Sequence, residues 1–209
     1  MIDLHELELS SKQYGFLLGR LSWSQDNKLE DGGIITVDRR CDAASAVNFY
    51  PYSDEFKYED CVNITPLIDS GFYRKLLKEI QKKEELIGFG YHTHTDVTEI
   101  GQFQHEKKMA RDSFNPDHPG NLERIFHKSL FPKDYVGYEI REKIMRIGSL
   151  VIEETERYGK IIYGFVPSSI PLRSKDPDVT DLSIHNVRSL RVSVPKHGIE
   201  FGPQIGGCI

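Results

Sequence analysis

The sequence predicts one mixed α/β domain, in which a central mixed sheet is flanked by helices. Apolar runs of strand length recur along the chain, two segments place apolar residues at helical spacing, and polar or glycine-rich turns separate them. The chain has 209 residues, of which 38% are hydrophobic and 28% are charged. This composition is typical of a globular protein with a core of its own.

The predicted elements are, in order, strands 14–23 and 34–37, helix 72–83, strand 86–92, helix 102–113, and strands 148–154, 159–166 and 187–194. The first two strands are apolar runs separated by the polar segment SQDNKLEDGG, a pattern that favours a hairpin. The first helix carries lysines opposite its apolar stripe and is suited to cover a sheet. The third strand leads through a short loop into the second helix. The next two strands join at a turn, and the last alternates apolar and polar residues as a half-buried strand does.

The domain is expected to cover residues 1–170. Residues at about 114–135 contain several prolines and a glycine, which indicates an insertion. Residues 171–209 form a C-terminal extension with one strand, which either belongs to the same domain or is appended to it.

The composition argues against several kinds of partner. The net charge is -5 and no basic block is present, so nucleic acid is not an expected partner. No apolar run approaches the length of a membrane span, and the first residues lack a basic and apolar leader. Cys41, Cys61 and Cys208 are scattered, as free thiols in a reducing compartment would be. We therefore expect a cytoplasmic protein without a membrane partner, and the oligomeric state stays open.

The densest chemical signal is His92-Thr-His94, at the end of a predicted strand. Residues two apart on a strand project to the same face, so the two imidazoles can bind one metal ion. His105 lies on the following helix, where Gln102 shares its face. Three histidines form an accepted set of Zn²⁺ ligands with a fourth position open for water. The alternative is that the pair is structural and that His105 is a surface residue.

The segment 87–94, IGFGYHTH, resembles the strand and histidine pair of the JAB/MPN metallopeptidase domain. The signature of that family, JAMM, has a glutamate in a Glu-x-x-Gly-x-Leu-x-Gly strand, then His-[Ser/Thr]-His-Pro and Ser-x-x-Asp. Residues 13–21, QYGFLLGRL, resemble the first of these strands, and the resemblance covers about residues 5–113. It implies a JAB/MPN-like sheet with cytidine-deaminase-like layering. It also implies a zinc-dependent hydrolase of amide or isopeptide bonds, with protein or peptide substrates that include ubiquitin-like conjugates.

Three catalytic positions depart from the family pattern. Lys12 stands where the glutamate base belongs, Gln102 replaces the serine and His105 replaces the aspartate ligand. His105 can still bind metal and Gln102 can still donate a hydrogen bond to an oxyanion. A charged lysine, however, cannot accept a proton from water. Glu8 is the nearest upstream carboxylate and is the predicted base, with Glu106 as the second candidate.

Two functions therefore compete. In the first, His92, His94 and His105 hold Zn²⁺, and Glu8 and Gln102 assist hydrolysis. In the second, the chain is a catalytically degenerate MPN-like scaffold that mediates protein–protein interaction, as Lys12 favours. A PHP-type phosphoesterase is a third, weaker alternative: the string His-Thr-His-Thr supports it, but that family places the string near the start of the chain and needs many more ligands.

Overall fold

The computed structural model describes residues 4–39, 43–52, 86–114, 148–167, 187–194 and 199–201. In chain order they form β1 (Glu6–Glu8), α1 (Ser11–Asn27), β2 (Gly32–Arg39), β3 (Ala43–Pro51), β4 (Leu86–Thr98), α2 (Phe103–Phe114), β5 (Gly148–Thr155), β6 (Gly159–Pro167), β7 (Val187–Val194) and β8 (Ile199–Phe201). The predicted helix 72–83 and nearly all of the predicted insertion lie outside these residues.

The described strands form one sheet in the order β1-β3-β2-β4-β5-β6-β7-β8. Because β1 also pairs in parallel with β7, strands β1 to β7 close into a seven-stranded barrel, and β8 pairs with β7. The prediction of a layered, JAB/MPN-like mixed α/β sheet flanked by helices is therefore wrong. The prediction failed because of β1, a strand of only three residues that gives no periodic signal. It nevertheless pairs with both β3 and β7 and so closes the sheet between those two strands.

The predicted strand 14–23 is also wrong, because these residues belong to α1. Ser10 and Gln13 form a capping box, in which each side chain accepts a hydrogen bond from the backbone N–H of the other. Leu17 and Leu21 lie one helical turn apart and are buried in the barrel core. The two glycines of the run, Gly15 and Gly19, face open space, so the helix does not need them for a close contact.

The other predicted elements within the described residues are confirmed. They are β2, β4, α2, β5, β6 and β7. β4 runs beyond the predicted end at His92, to Thr98. β7, which is the strand predicted within residues 171–209, pairs with β6 and β1. Neither α1 nor α2 combines the length and the apolar character that a membrane-spanning helix requires.

Side chains alternate between the barrel core and an outer face that α2 covers. Phe89 and Tyr91 of β4 belong to the core, together with Leu150 and Ile152 of β5. The outer face contains, by contrast, Val151, Tyr163, Phe165 and Val187, packed with Ala110 of α2. Because successive residues of a strand point to opposite faces, the even-numbered residues near the end of β4 face outward, beside the start of α2.

Candidate metal centre

The site lies where β4 separates from β2. The two strands pair up to Gly32 and His92. One further step joins Asp31 to Thr93: the Asp31 N–H donates to Thr93 Oγ1 (2.9 Å), and the Thr93 N–H donates to the Asp31 carbonyl (2.8 Å). β4 then continues beside β5 to Thr98, with an irregular register after Thr93. A cavity of about 640 Å³ opens at this point, bordered by the segment before β2, the end of β4 and the start of α2.

His92, His94 and Glu106 converge on the wall of this cavity. His92 Nε2 lies 3.1 Å from Glu106 Oε2, and His94 Nε2 lies 3.3 Å from Glu106 Oε1. The candidate ligand atoms of the three residues all lie within 4.8 Å of one another. Ligand atoms about 2 Å from one tetrahedral ion are about 3.3 Å apart, so the spacing fits an ion held between them. The cluster can therefore hold a metal ion.

The third member of the cluster is Glu106 and not His105. Both residues line the cavity, but Glu106 is 7% exposed whereas His105 is exposed. The helix turns Phe103, Glu106 and Ala110 toward the barrel, and Met109, which shares the face of Gln102 and His105, is 52% exposed. The apolar positions 103 and 110 carry the signal for this face, because they lie seven residues apart, with Glu106 between them.

Two carboxylates determine the protonation of the metal-free cluster. His94 Nδ1 lies 3.1 Å from Glu153 Oε2, on the side of the ring opposite Glu106. Burial alone lowers the pKa of His94, but the hydrogen bonds and charges of Glu106 and Glu153 together raise it to about 10. Burial alone raises the pKa of Glu106, but the hydrogen bonds of His92 and His94 outweigh it and hold this pKa well below its usual range. At neutral pH the metal-free site therefore holds a protonated His94 between the side chains of Glu106 and Glu153.

A further carboxylate, that of Glu30, lines the same cavity. If the β2–β4 register is continued past Asp31 and Thr93, Glu30 stands opposite His94, and directly opposed residues share a face of the sheet. In the sequence, Glu30 lies within the polar segment SQDNKLEDGG, where no pattern singles it out. Its place beside the cluster depends on the pairing of β2 with β4, for which the sequence carries no local signal.

The predicted catalytic residues are Glu8 and Gln102, and Lys12 occupies the position of the family's glutamate base. Glu8 lies on β1, where its carboxylate accepts a hydrogen bond from Ser45 Oγ (3.0 Å), and it does not line the cavity. Lys12 is exposed on α1 and does not line the cavity either. Gln102 does line it, and its backbone N–H donates to Glu153. The site therefore contains Gln102, whereas Glu8 and Lys12 lie elsewhere.

The fold and the site define a closed barrel with a histidine–carboxylate cluster at one end. No family model matches the chain, and no curated protein matches it. Among solved structures, the chain is similar to the solution structure of protein DSY2949 from Desulfitobacterium hafniense, with 13% identity and a TM-score of 0.46. The match covers 91% of this chain and 97% of that one.

Proposed function

We propose that the protein is a zinc-dependent hydrolase of amide or isopeptide bonds. The observation that carries the proposal is the convergence of His92, His94 and Glu106 on the wall of an open cavity. Two histidines and one glutamate are a ligand set of catalytic zinc sites, and three protein ligands leave one position for water or substrate. Calcium and magnesium prefer oxygen ligands, so the two imidazole nitrogens favour zinc over either ion.

The residues around the cluster supply the groups that hydrolysis requires. A zinc ion, when bound, would polarise the substrate carbonyl and make the attacking water more acidic. Glu30 lines the same cavity as the cluster and would accept the proton of that water and return it to the leaving amine. The side-chain amide of Gln102 can donate a hydrogen bond to the oxyanion that develops on the carbonyl.

The substrate class comes from two features. The segment 87–94 resembles the JAMM strand, which favours an amide or isopeptide carbonyl. The cavity of about 640 Å³ is within the usual range for a small-ligand pocket of about 300–1,000 Å³, which is enough for a few residues of a peptide. A protein or peptide tail therefore suits the site, and ubiquitin-like conjugates are one class of such substrates.

A non-catalytic scaffold is the second candidate function, and one observation favours it. His94 and Glu106 are buried and make ion pairs with each other and, for His94, with Glu153. A polar network with such internal partners can stabilise a fold without any metal. The scaffold would bind a protein partner without cleaving it.

Metal content and cleavage together test the proposal. We expect the purified protein to carry about one zinc per chain and to cleave a panel of peptide and isopeptide conjugates, with loss of cleavage after chelation and recovery with added zinc. His92→Ala is expected to lose both zinc and cleavage. Zinc without cleavage across the panel would favour the scaffold. A protein that binds no zinc when it is supplied would refute the proposal.

A further inference from the structure

A buried carboxylate behind the metal cluster has no part in the hydrolysis described above. Glu153 lies on β5 and is fully buried. Its Oε2 is 3.1 Å from His94 Nδ1, and both of its carboxylate oxygens lie 3.2 Å from the backbone nitrogen of Gln102. One side chain of β5 therefore contacts both the strand that carries the histidines and the turn that leads into α2.

We propose that Glu153 is a positioning residue that orients two of the three metal ligands, His94 and Glu106. This inference rests on the metal site of the proposed function. By accepting a hydrogen bond from Nδ1–H, Glu153 selects the His94 tautomer whose Nε2 lone pair is available to a metal ion. The orientation of the ring then follows from a group on a neighbouring strand and not from the metal alone.

The connection to Glu106 runs through the first turn of α2. Glu153 accepts a hydrogen bond from the Gln102 N–H, and the Gln102 carbonyl accepts one from the Glu106 N–H (2.9 Å). Gly101 has a φ of 84°, and a Cβ at this position would collide with the Glu153 carboxylate. Glu153 thus sets where the helix begins, and the helix sets where the Glu106 carboxylate lies.

The adjacent residue of β5 offers a matched control. Glu154 points to the opposite face of the strand, where its carboxylate accepts a hydrogen bond from the side chain of Gln25 (3.0 Å). Glu153→Gln and Glu154→Gln therefore remove the same charge from neighbouring positions, one behind the cluster and one away from it. A glutamine at 153 keeps the volume of the side chain, but it turns one acceptor oxygen into a donor that faces the Gln102 N–H.

The experiment measures the Zn²⁺ affinity of the full chain by competition with a chromophoric chelator, together with the visible spectrum of the Co²⁺ form and the melting temperature of the metal-free form. We expect Glu153→Gln to weaken Zn²⁺ binding about 10- to 100-fold and to change the Co²⁺ spectrum, as loss of a ligand-orienting partner does. Glu154→Gln should leave both unchanged. If Glu153→Gln does not fold, Glu153→Asp, which keeps the charge and shortens the reach, is expected to weaken binding in the same direction.

The outcomes separate this inference from the proposed function. Wild-type protein that binds zinc, with a Glu153→Gln affinity and Co²⁺ spectrum equal to those of the wild type, overturns the inference and leaves the metal site standing. A lowered melting temperature with unchanged metal binding means that Glu153 is only structural, and this also overturns the inference. Wild-type protein that binds no zinc refutes the proposed function and the inference with it.

Discussion

Zinc at the proposed site would displace a proton from His94 at neutral pH. This side chain is 5% exposed, and its pKa is raised to about 10 by Glu106 and Glu153, which together outweigh the effect of burial. At pH 7 only about one metal-free molecule in 10³ has a neutral His94, so competition by the proton costs about 4 kcal/mol of zinc affinity. We expect the apparent affinity to rise about tenfold per pH unit from pH 7 to 9 and to level off above pH 10.

A rise in pH is expected to have the opposite effect on the stability of the metal-free fold. A pKa raised above its unfolded value of 6.5 means that the charged His94 stabilises the metal-free fold. This contribution is complete below about pH 6.5 and is lost as the pH rises through about 10. The metal-free protein should therefore become less stable over the range in which zinc binds more tightly.

Isothermal titration calorimetry tests this prediction directly. Zinc is titrated at pH 7 in two buffers of different ionisation enthalpy, and the difference between the observed enthalpies gives the number of protons released. We expect His94 to contribute about one proton, because metal ligands must be deprotonated before they bind. His105→Ala serves as a control, because this exposed histidine lies outside the ligand cluster. A zinc affinity that does not change between pH 7 and 9 would refute the reasoning.

Three further predictions concern single residues. Glu30→Gln should lower turnover by about 10² to 10⁴-fold, the usual contribution of a general base, with zinc content unchanged; equal turnover in a steady-state assay would exclude this role. Glu106→Ala should abolish stoichiometric zinc in elemental analysis, whereas His105→Ala should retain it, and the reverse result would identify His105 as the ligand. Gly101→Ala should destabilise the fold by about 1–3 kcal/mol in urea unfolding, because its positive φ and the Glu153 carboxylate leave no room for a Cβ; an unchanged midpoint would contradict this.

Periodicity predicted the strands and helices whose patterns are local, and it failed where the fold depends on distant contacts. β5, β6 and β7 are apolar or alternating runs, so their positions follow from the sequence. α1 was mistaken for a strand because its continuous apolar run fits either element, and only the packing of Leu17 and Leu21 decides between them. Closure of the barrel depends on three residues of β1 that pair with strands far along the chain. A segment this short carries no pattern that predicts its two partners.

The residues of the candidate site likewise fall into those that a local pattern predicts and those that depend on distant contacts. His92 and His94 follow from the two-residue repeat of a strand, which needs no knowledge of the rest of the fold. The choice between His105 and Glu106 depends on which face of α2 meets the barrel, since adjacent helical residues differ by about 100° in direction. Glu30 and Glu153 reach the site through pairing of β4 with β2 and β5. Their presence could be recognised only once the order of the strands was known.

The energetics of the cluster favour a functional site over a purely structural one. The outer face next to it is filled by Val151, Tyr163 and Phe165, which shows that apolar packing suits this part of the barrel. Burying His94 and Glu106 removes charged groups from water, and replacing a buried ion pair by apolar residues is often neutral or stabilising. Stability alone therefore does not explain ionisable groups at this position. Groups with strongly shifted pKa values beside a cavity are typical of sites that bind a ligand or transfer protons, and a metal ion between His92, His94 and Glu106 provides both a reason for their convergence and a use for the cavity they face.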